Sequence, residues 1–210
     1  MRSGRLSWEG ALLGVQPRID LSRSFDQRFH GYLGYLLIVE GKVAGEAREF
    51  RVRIGPGIQA KHEFRAGDRV RGIAHPVADP DREIAEFYKA SALELLERPP
   101  GPPPAAPPWL GVPPALDVYR ERGHRRLDAR IYEASCRACL WGCRMPVEMI
   151  VDQWKPHVAE RRFETFCYGP KSCPCHRAGA ARKVPGRRGM SWVEEDWVDE
   201  DATSSRGPDD

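Results

Sequence analysis

The side chains most able to do chemistry are six cysteines between Cys136 and Cys175, in the pattern Cys136-x2-Cys139-x3-Cys143 followed by Cys167-x5-Cys173-x-Cys175-His176. In a reducing compartment, clustered thiols serve as metal ligands or redox groups rather than as a disulfide framework. Tetrahedral zinc takes four nitrogen or sulfur ligands, commonly as two short-spaced pairs, because a tight turn brings both thiolates of a Cys-x2-Cys to one side of the ion. Cys136 and Cys139 fit the first pair. Cys167 and Cys173 are the preferred second pair, with Cys143, Cys175 and His176 as alternates. Four protein ligands close the coordination sphere, so such a Zn2+ site is structural and leaves no position for a substrate. An iron–sulfur cluster competes with this reading, since it takes four thiolates at irregular spacings, here Cys136, Cys139, Cys143 and one later cysteine. Free redox thiols are the third reading.

Cations form the next constellation. Arg182, Lys183, Arg187 and Arg188 follow the last cysteine in a loop kept open by Gly179, Pro185, Gly186 and Gly189. Guanidinium groups grip phosphates in bidentate fashion, but the same run also reads as a solvated loop or as one that folds onto an acidic segment. Nearer the N-terminus, Arg51, Arg53, Arg69 and Arg71 belong to expected neighbouring strands, with Tyr32 and Tyr35 able to add stacking surfaces for bases. The plain alternatives are arginine on an outer sheet face and tyrosine in a core. Charge is uneven along the chain: residues 1–98 carry 16 Lys and Arg against 14 Asp and Glu, residues 99–192 carry 16 against 8, and residues 193–210 carry 1 against 8. The acidic tail includes Trp197 and directly follows Trp192, and it either docks on the basic part or offers an acidic, aromatic motif to a protein partner. No Gly-Lys-Ser/Thr phosphate loop, His-Glu-x-x-His or Gly-x-Ser-x-Gly stands in the sequence, so catalysis is not expected.

These groups need elements to position them. Phe50, Val52 and Ile54 alternate with Glu49, Arg51 and Arg53, which predicts a half-buried strand. Tyr32 to Val39 predicts its partner, with Gly41 to Gly45 as the turn of a hairpin. Gly10 to Leu21 and Arg69 to His75 are further strands, and Ala85 to Leu96 fits a strand or a helix. Nine prolines in the seventeen positions Pro99 to Ala115 predict an extended spacer. Beyond it, the alternation of Leu127, Ala129 and Ile131 predicts a strand into Cys136. Val147 to Trp154 and Arg162 to Tyr168 predict a hairpin turning at Lys155-Pro156-His157. No apolar run approaches the roughly 18 residues of a membrane span, and no secretory leader is evident, so a cytoplasmic protein without membrane contact is expected.

Phe64-Arg65-Ala66-Gly67-Asp68-Arg69-Val70-Arg71-Gly72 resembles the entry to the fourth strand of OB-fold domains, a resemblance that covers roughly residues 8–98. It implies a small partly open barrel with an oligonucleotide-type binding face on its middle strands. The order strand, cysteine knuckle, hairpin, cysteine knuckle resembles a zinc ribbon. The expected protein is therefore mostly β, with an OB-like β-barrel (8–98), a Pro-rich linker (99–115), a zinc-ribbon-like three-stranded domain (116–192) and an acidic tail (193–210). Nucleic-acid binding is the expected function. A protein-interaction adaptor and an iron–sulfur redox protein are its rivals.

Overall fold

Phe50, Val52 and Ile54 turn inward, none more than 4% exposed, as their alternation predicts. They belong to β3 (Glu46–Ile54), one of the strands of a large sheet in a mostly β protein. The computed structural model describes residues 4–24, 27–152, 154–155 and 158–207.

The sheet is organised around β1 (Leu6–Arg23), which pairs antiparallel with β2 (Arg28–Val43) along most of its length. At its start β1 also pairs with β4 (Arg69–Pro76), and β4 continues to β5 (Phe87–Glu97). β5 meets β3 in parallel at the single pair Val52↔Phe87, and β3 pairs with β2 in antiparallel register. Steps from β1 through β2, β3, β5 and β4 therefore lead back to β1. A short helix, α1 (Pro56–His62), fills the connection between β3 and β4.

At its far end β1 pairs in parallel with β7 (Gly142–Ile150), through Leu21–Arg23 and Val147–Met149. β7 forms a hairpin with β8 (Ala159–Cys167), and the two-residue β6 (Arg125–Arg126) borders β8. Residues on both sides of the Pro-rich segment thus share one sheet. They also share one apolar cluster, in which Leu37, Phe50 and Val70 meet Cys143, Met145, Val147 and Phe166.

Several local expectations change. Gly41 is not in the turn, which falls at Ala44 and Gly45. Instead Gly41 opposes Gly10 where β1 and β2 approach closely, and a Cβ at Gly41 would stand 2.2 Å from the Glu9 carbonyl oxygen. Of Ala85 to Leu96, expected as strand or helix, the part from Phe87 onward is the strand β5; Lys89 and Ala92, at φ 51° and 50°, interrupt its alternation with register shifts and so blur its period. The strand expected over Leu127 to Tyr132 is helical instead. Asp128 accepts from the N–H groups of Arg130 and Ile131 and starts α3 (Ala129–Ile131), which continues as a π turn through Tyr132–Cys136. The β7–β8 hairpin forms, but β7 begins at Gly142 and ends at Ile150 instead of spanning Val147 to Trp154, and Pro156 and His157 of the expected turn lie outside the described residues.

The Pro-rich segment has no strand or regular helix, and it is pinned on both sides. Arg65 donates to the carbonyls of Pro99 and Gly101, Tyr35 Oη donates to Pro114 O at 2.7 Å, and Leu140 N donates to Trp109 O at 2.9 Å. After α2 (Leu116–Arg122) and the cysteine region, β9 (Arg182–Pro185) and β10 (Ser191–Glu194) form a two-stranded sheet, and α4 (Trp197–Ala202) follows. No helix among the described residues is long and apolar enough to cross a membrane.

Candidate functional site

Cys136 and Cys139 lie in a tight turn, where Cys139 N donates to Cys136 O at 3.1 Å and Gly142 N donates to Cys139 O at 3.0 Å. They pack with Cys167, Leu127 and Tyr132 in a small cluster flanked by Trp109 and Trp141. A second turn holds the later cysteines: Cys173 N donates to Pro170 O, His176 N to Cys173 O, and Gly169 N to the Cys167 sulfur at 3.4 Å. Burial pushes the Cys136 thiol up to about 12, and the thiols of Cys139, Cys167, Cys173 and Cys175 add to the shift. Five of the six cysteines therefore share one electrostatic neighbourhood. Cys139 is pushed up to about 11 by burial, opposed by backbone N–H groups that include Trp141 and Gly142. Burial likewise raises Cys167, against the N–H of Gly169.

Cys143 stands apart. It occupies the start of β7, where alternation directs Cys143, Met145, Val147 and Met149 into the main core, and its sulfur lies 3.5 Å from Pro17 O. His176 Nε2 faces Arg126 O at 3.2 Å. Among the described residues, no group of three or more His, Cys, Asp or Glu side chains is arranged to hold a metal ion. The donor set nevertheless has the chemistry of one: soft thiol ligands in two turns, with backbone N–H groups that favour thiolate.

One residue outside the cysteine region organises the first turn, and it carried no motif to reveal it. Gln16 of β1 is 1% exposed; its Nε2 donates to Cys136 O and to Cys139 O, both at 2.9 Å, and its Oε1 accepts from Tyr132 Oη at 2.8 Å. A Cβ at Gly14 would stand 2.4 Å from Ala138 O, so glycine lets the turn lie directly on β1.

The arginines expected to face a ligand have carboxylate neighbours. Arg69 pairs with Glu9 at 2.6 Å, Arg71 with Glu94 at 2.7 Å, and Arg51 with Glu49 at 3.4 Å. Arg53 pairs with Glu83 at 2.7 Å and lies over the Tyr88 ring, 5.1 Å from its centroid. The exposed Arg69 and Arg71 pairs hold by only about 0–1 kcal/mol and exchange readily with other anions, whereas Glu83 is mostly buried. Tyr32 is half-buried beneath the Arg120 guanidinium, and Tyr35 is 3% exposed in the core. Of the later basic run, Arg182 is mostly buried against Glu164 at 3.0 Å, Arg187 reaches Asp152 at 3.6 Å, and Lys183 and Arg188 are exposed.

The tail folds onto the body. Glu194 is 4% exposed and pairs with Arg23 at 2.6 Å and Arg28 at 3.0 Å. Arg126, itself 1% exposed, binds Asp196 and Asp199. Arg23 and Arg162 also converge on Glu164. Beside this network the His30 and His124 rings meet at a tilt of 53° with centroids 4.7 Å apart. Burial, with the cations of Arg28 and Arg23, lowers His30 to about 4, and His124 is lowered by burial, His30 and Arg182.

Scans of known protein families, of curated proteins and of solved structures find no match to this chain, so its function must be argued from its own residues.

Proposed function

We propose that this chain binds single-stranded or structured nucleic acid on an OB-like barrel formed by β1 to β5, with a zinc ion holding the cysteine region in shape. The observation that carries this reading is the face of β3 turned away from the main core, where the partly exposed Arg51 and Arg53 stand opposite Ile38 and Leu36 of β2, which Ile84 and Ala85 cover, with Arg53 lying over Tyr88. Cations beside an aromatic face supply the two contacts that unspecific single-strand binding needs, charge for the backbone and a flat surface for bases. The circuit of pairings from β1 back to β1, the parallel meeting of β3 with β5 and the helix between β3 and β4 support the barrel.

Cys136, Cys139, Cys167 and Cys173 would hold the zinc, and Cys175, which shares their neighbourhood, is the nearest substitute. The core position of Cys143 counts against it as a ligand. Bound zinc would offset the mutual repulsion of the thiolates and join the two turns across the β7–β8 hairpin.

The test is fluorescence anisotropy with labelled single-stranded DNA, single-stranded RNA and duplex across a salt series. Binding should weaken steeply with salt, because each phosphate neutralised releases counterions. Absent binding, or binding indifferent to salt, removes the reading. Stoichiometric iron with visible absorption would replace zinc by an iron–sulfur cluster.

A further inference from the structure

Two arginines from different strands converge on one carboxylate at the outer face. Arg18 of β1 grips Glu83 in bidentate fashion, with Nε 3.0 Å from both carboxylate oxygens and Nη2 2.6 Å from Oε2, and Arg53 Nη1 reaches the same Oε2 at 2.7 Å. Glu83 lies in the segment between β4 and β5, and its side chain is 9% exposed, against 33% for Arg53. The neighbouring Ile84 and Ala85 are buried against Leu36 and Ile38 of β2. That anchor brings the Glu83 carboxylate to the arginines without requiring Glu83 itself to belong to the core.

The surroundings suit a larger anion. Two grooves meet at Arg18 and Arg53: one of about 170 Å³ runs past Leu33, Ile58 and Lys89, and one of about 350 Å³ runs past Tyr88 and Arg82. Lys89 stands 5.3 Å from the Tyr88 ring, on the ring that Arg53 also covers. Arg82 pairs with exposed Asp79 within its own turn, at 3.1 Å. Leu33 is 40% exposed on the groove wall. The grooves therefore carry four cations, an aromatic ring and an apolar wall. Their two carboxylates come from the segment that covers the site rather than from the strands beneath it.

We propose that Arg18 and Arg53 form a phosphate subsite and that Glu83 is its built-in occupant, displaced when a phosphate enters. A carboxylate held by a bidentate arginine and a second guanidinium reproduces the donor geometry that a phosphate oxygen pair would meet. An incoming phosphate must compete with an anion already in place, so wild-type affinity is lowered by that competition. This inference deepens the nucleic-acid reading and rests on it for the source of the phosphate.

The experiment compares wild type, Glu83→Gln, Arg53→Ala and the double variant, each checked for folding by circular dichroism. Two probes are used: labelled oligothymidylate, and inorganic tripolyphosphate. Glu83→Gln should tighten oligothymidylate binding about 5-fold or more and steepen the slope of log K against log salt by about one to two, since two freed guanidiniums each neutralise about one phosphate. Arg53→Ala, at a position one-third exposed, should weaken binding, and the double variant should lose the gain. Oligonucleotide binding that Glu83→Gln leaves unchanged or weakens overturns this inference while the nucleic-acid reading stands. Tripolyphosphate binding that appears in Glu83→Gln without any oligonucleotide binding supports the subsite and overturns the nucleic-acid source. Neither probe binding any variant overturns both.

Discussion

The region built by β1 to β5 and the cysteine region share one sheet but are held together differently. The first buries long side chains in alternation, with Leu12, Leu37, Phe50, Phe64 and Val70 each no more than 2% exposed. The second lends Met145, Val147 and Phe166 to that same core, but around its turns it has only a small apolar cluster in which three of the five buried members are cysteines, and it leans on Gln16 of β1 for the carbonyls of its first turn. A large apolar core supplies its own stability by burial, whereas a small cluster of thiols gains its stability from a ligand or a neighbour. The difference teaches that one continuous sheet can hold two sources of stability.

The largest break in this comparison should come from replacing Cys136 and Cys139 together by serine. Metal content should fall to background, and amide exchange should accelerate through Ala129–Cys143 and Cys167–His176, while β3 and β4 keep their protection. Uniform protection in both regions would show that the cysteine cluster stands without a ligand. Next, Gln16→Ala attacks the contact between the regions. It removes three buried hydrogen bonds, leaving the Cys136 and Cys139 carbonyls with one backbone N–H each and the Tyr132 hydroxyl without its acceptor, so at about 1 kcal/mol per bond denaturant unfolding should show a loss of about 3 kcal/mol. A loss under about 1 kcal/mol would mean that the turn does not depend on β1.

The smallest effect is set by pH. His30 of β2 and His124, just before β6, meet where the regions join. The fold lowers His30 from 6.5 to about 4, favouring the neutral ring, so the unfolded chain takes up protons first as the solution is acidified. Stability from this group is therefore complete above pH 6.5, declines as pH falls toward about 4, and levels off below that. The expected loss over this interval is about 2 kcal/mol. A pH series of urea midpoints checks it, and His30→Gln should flatten the decline.

Much of the first region was legible because its signal is local. Phe50, Val52 and Ile54 alternate without interruption, and Gly67-Asp68 marks the turn into β4; Asp68 is fully buried and bound by Arg98 and the N–H of Arg65. In the second region the same period misled. Leu127, Ala129 and Ile131 alternate, yet Leu127 and Ile131 are also spaced for one face of a helix, and the Asp128 cap decided between them. The tight pair Cys136 and Cys139 could be read from spacing. The departure of Cys143 could not, because it follows from where β7 begins. Buried arginines were the least legible: Arg23 meets Glu164 and Glu194, which lie 141 and 171 residues away in the chain, and no local pattern encodes such a partner.

The length of β1 also has a consequence in time. Its start can find β2 and β4 early in synthesis, but Leu21–Arg23 borders β7, whose Val147–Met149 are made more than a hundred residues later. At ribosomal speeds of roughly 5–20 residues per second, that edge waits on the order of ten seconds with unpaired backbone groups. Any pairing of β1 with β2 and β4 that precedes the synthesis of β7 therefore leaves an open strand edge at Leu21–Arg23. Arg23, Asp20 and the β1–β2 hairpin carry charge at this end, which discourages another chain from pairing there before the chain's own β7 arrives.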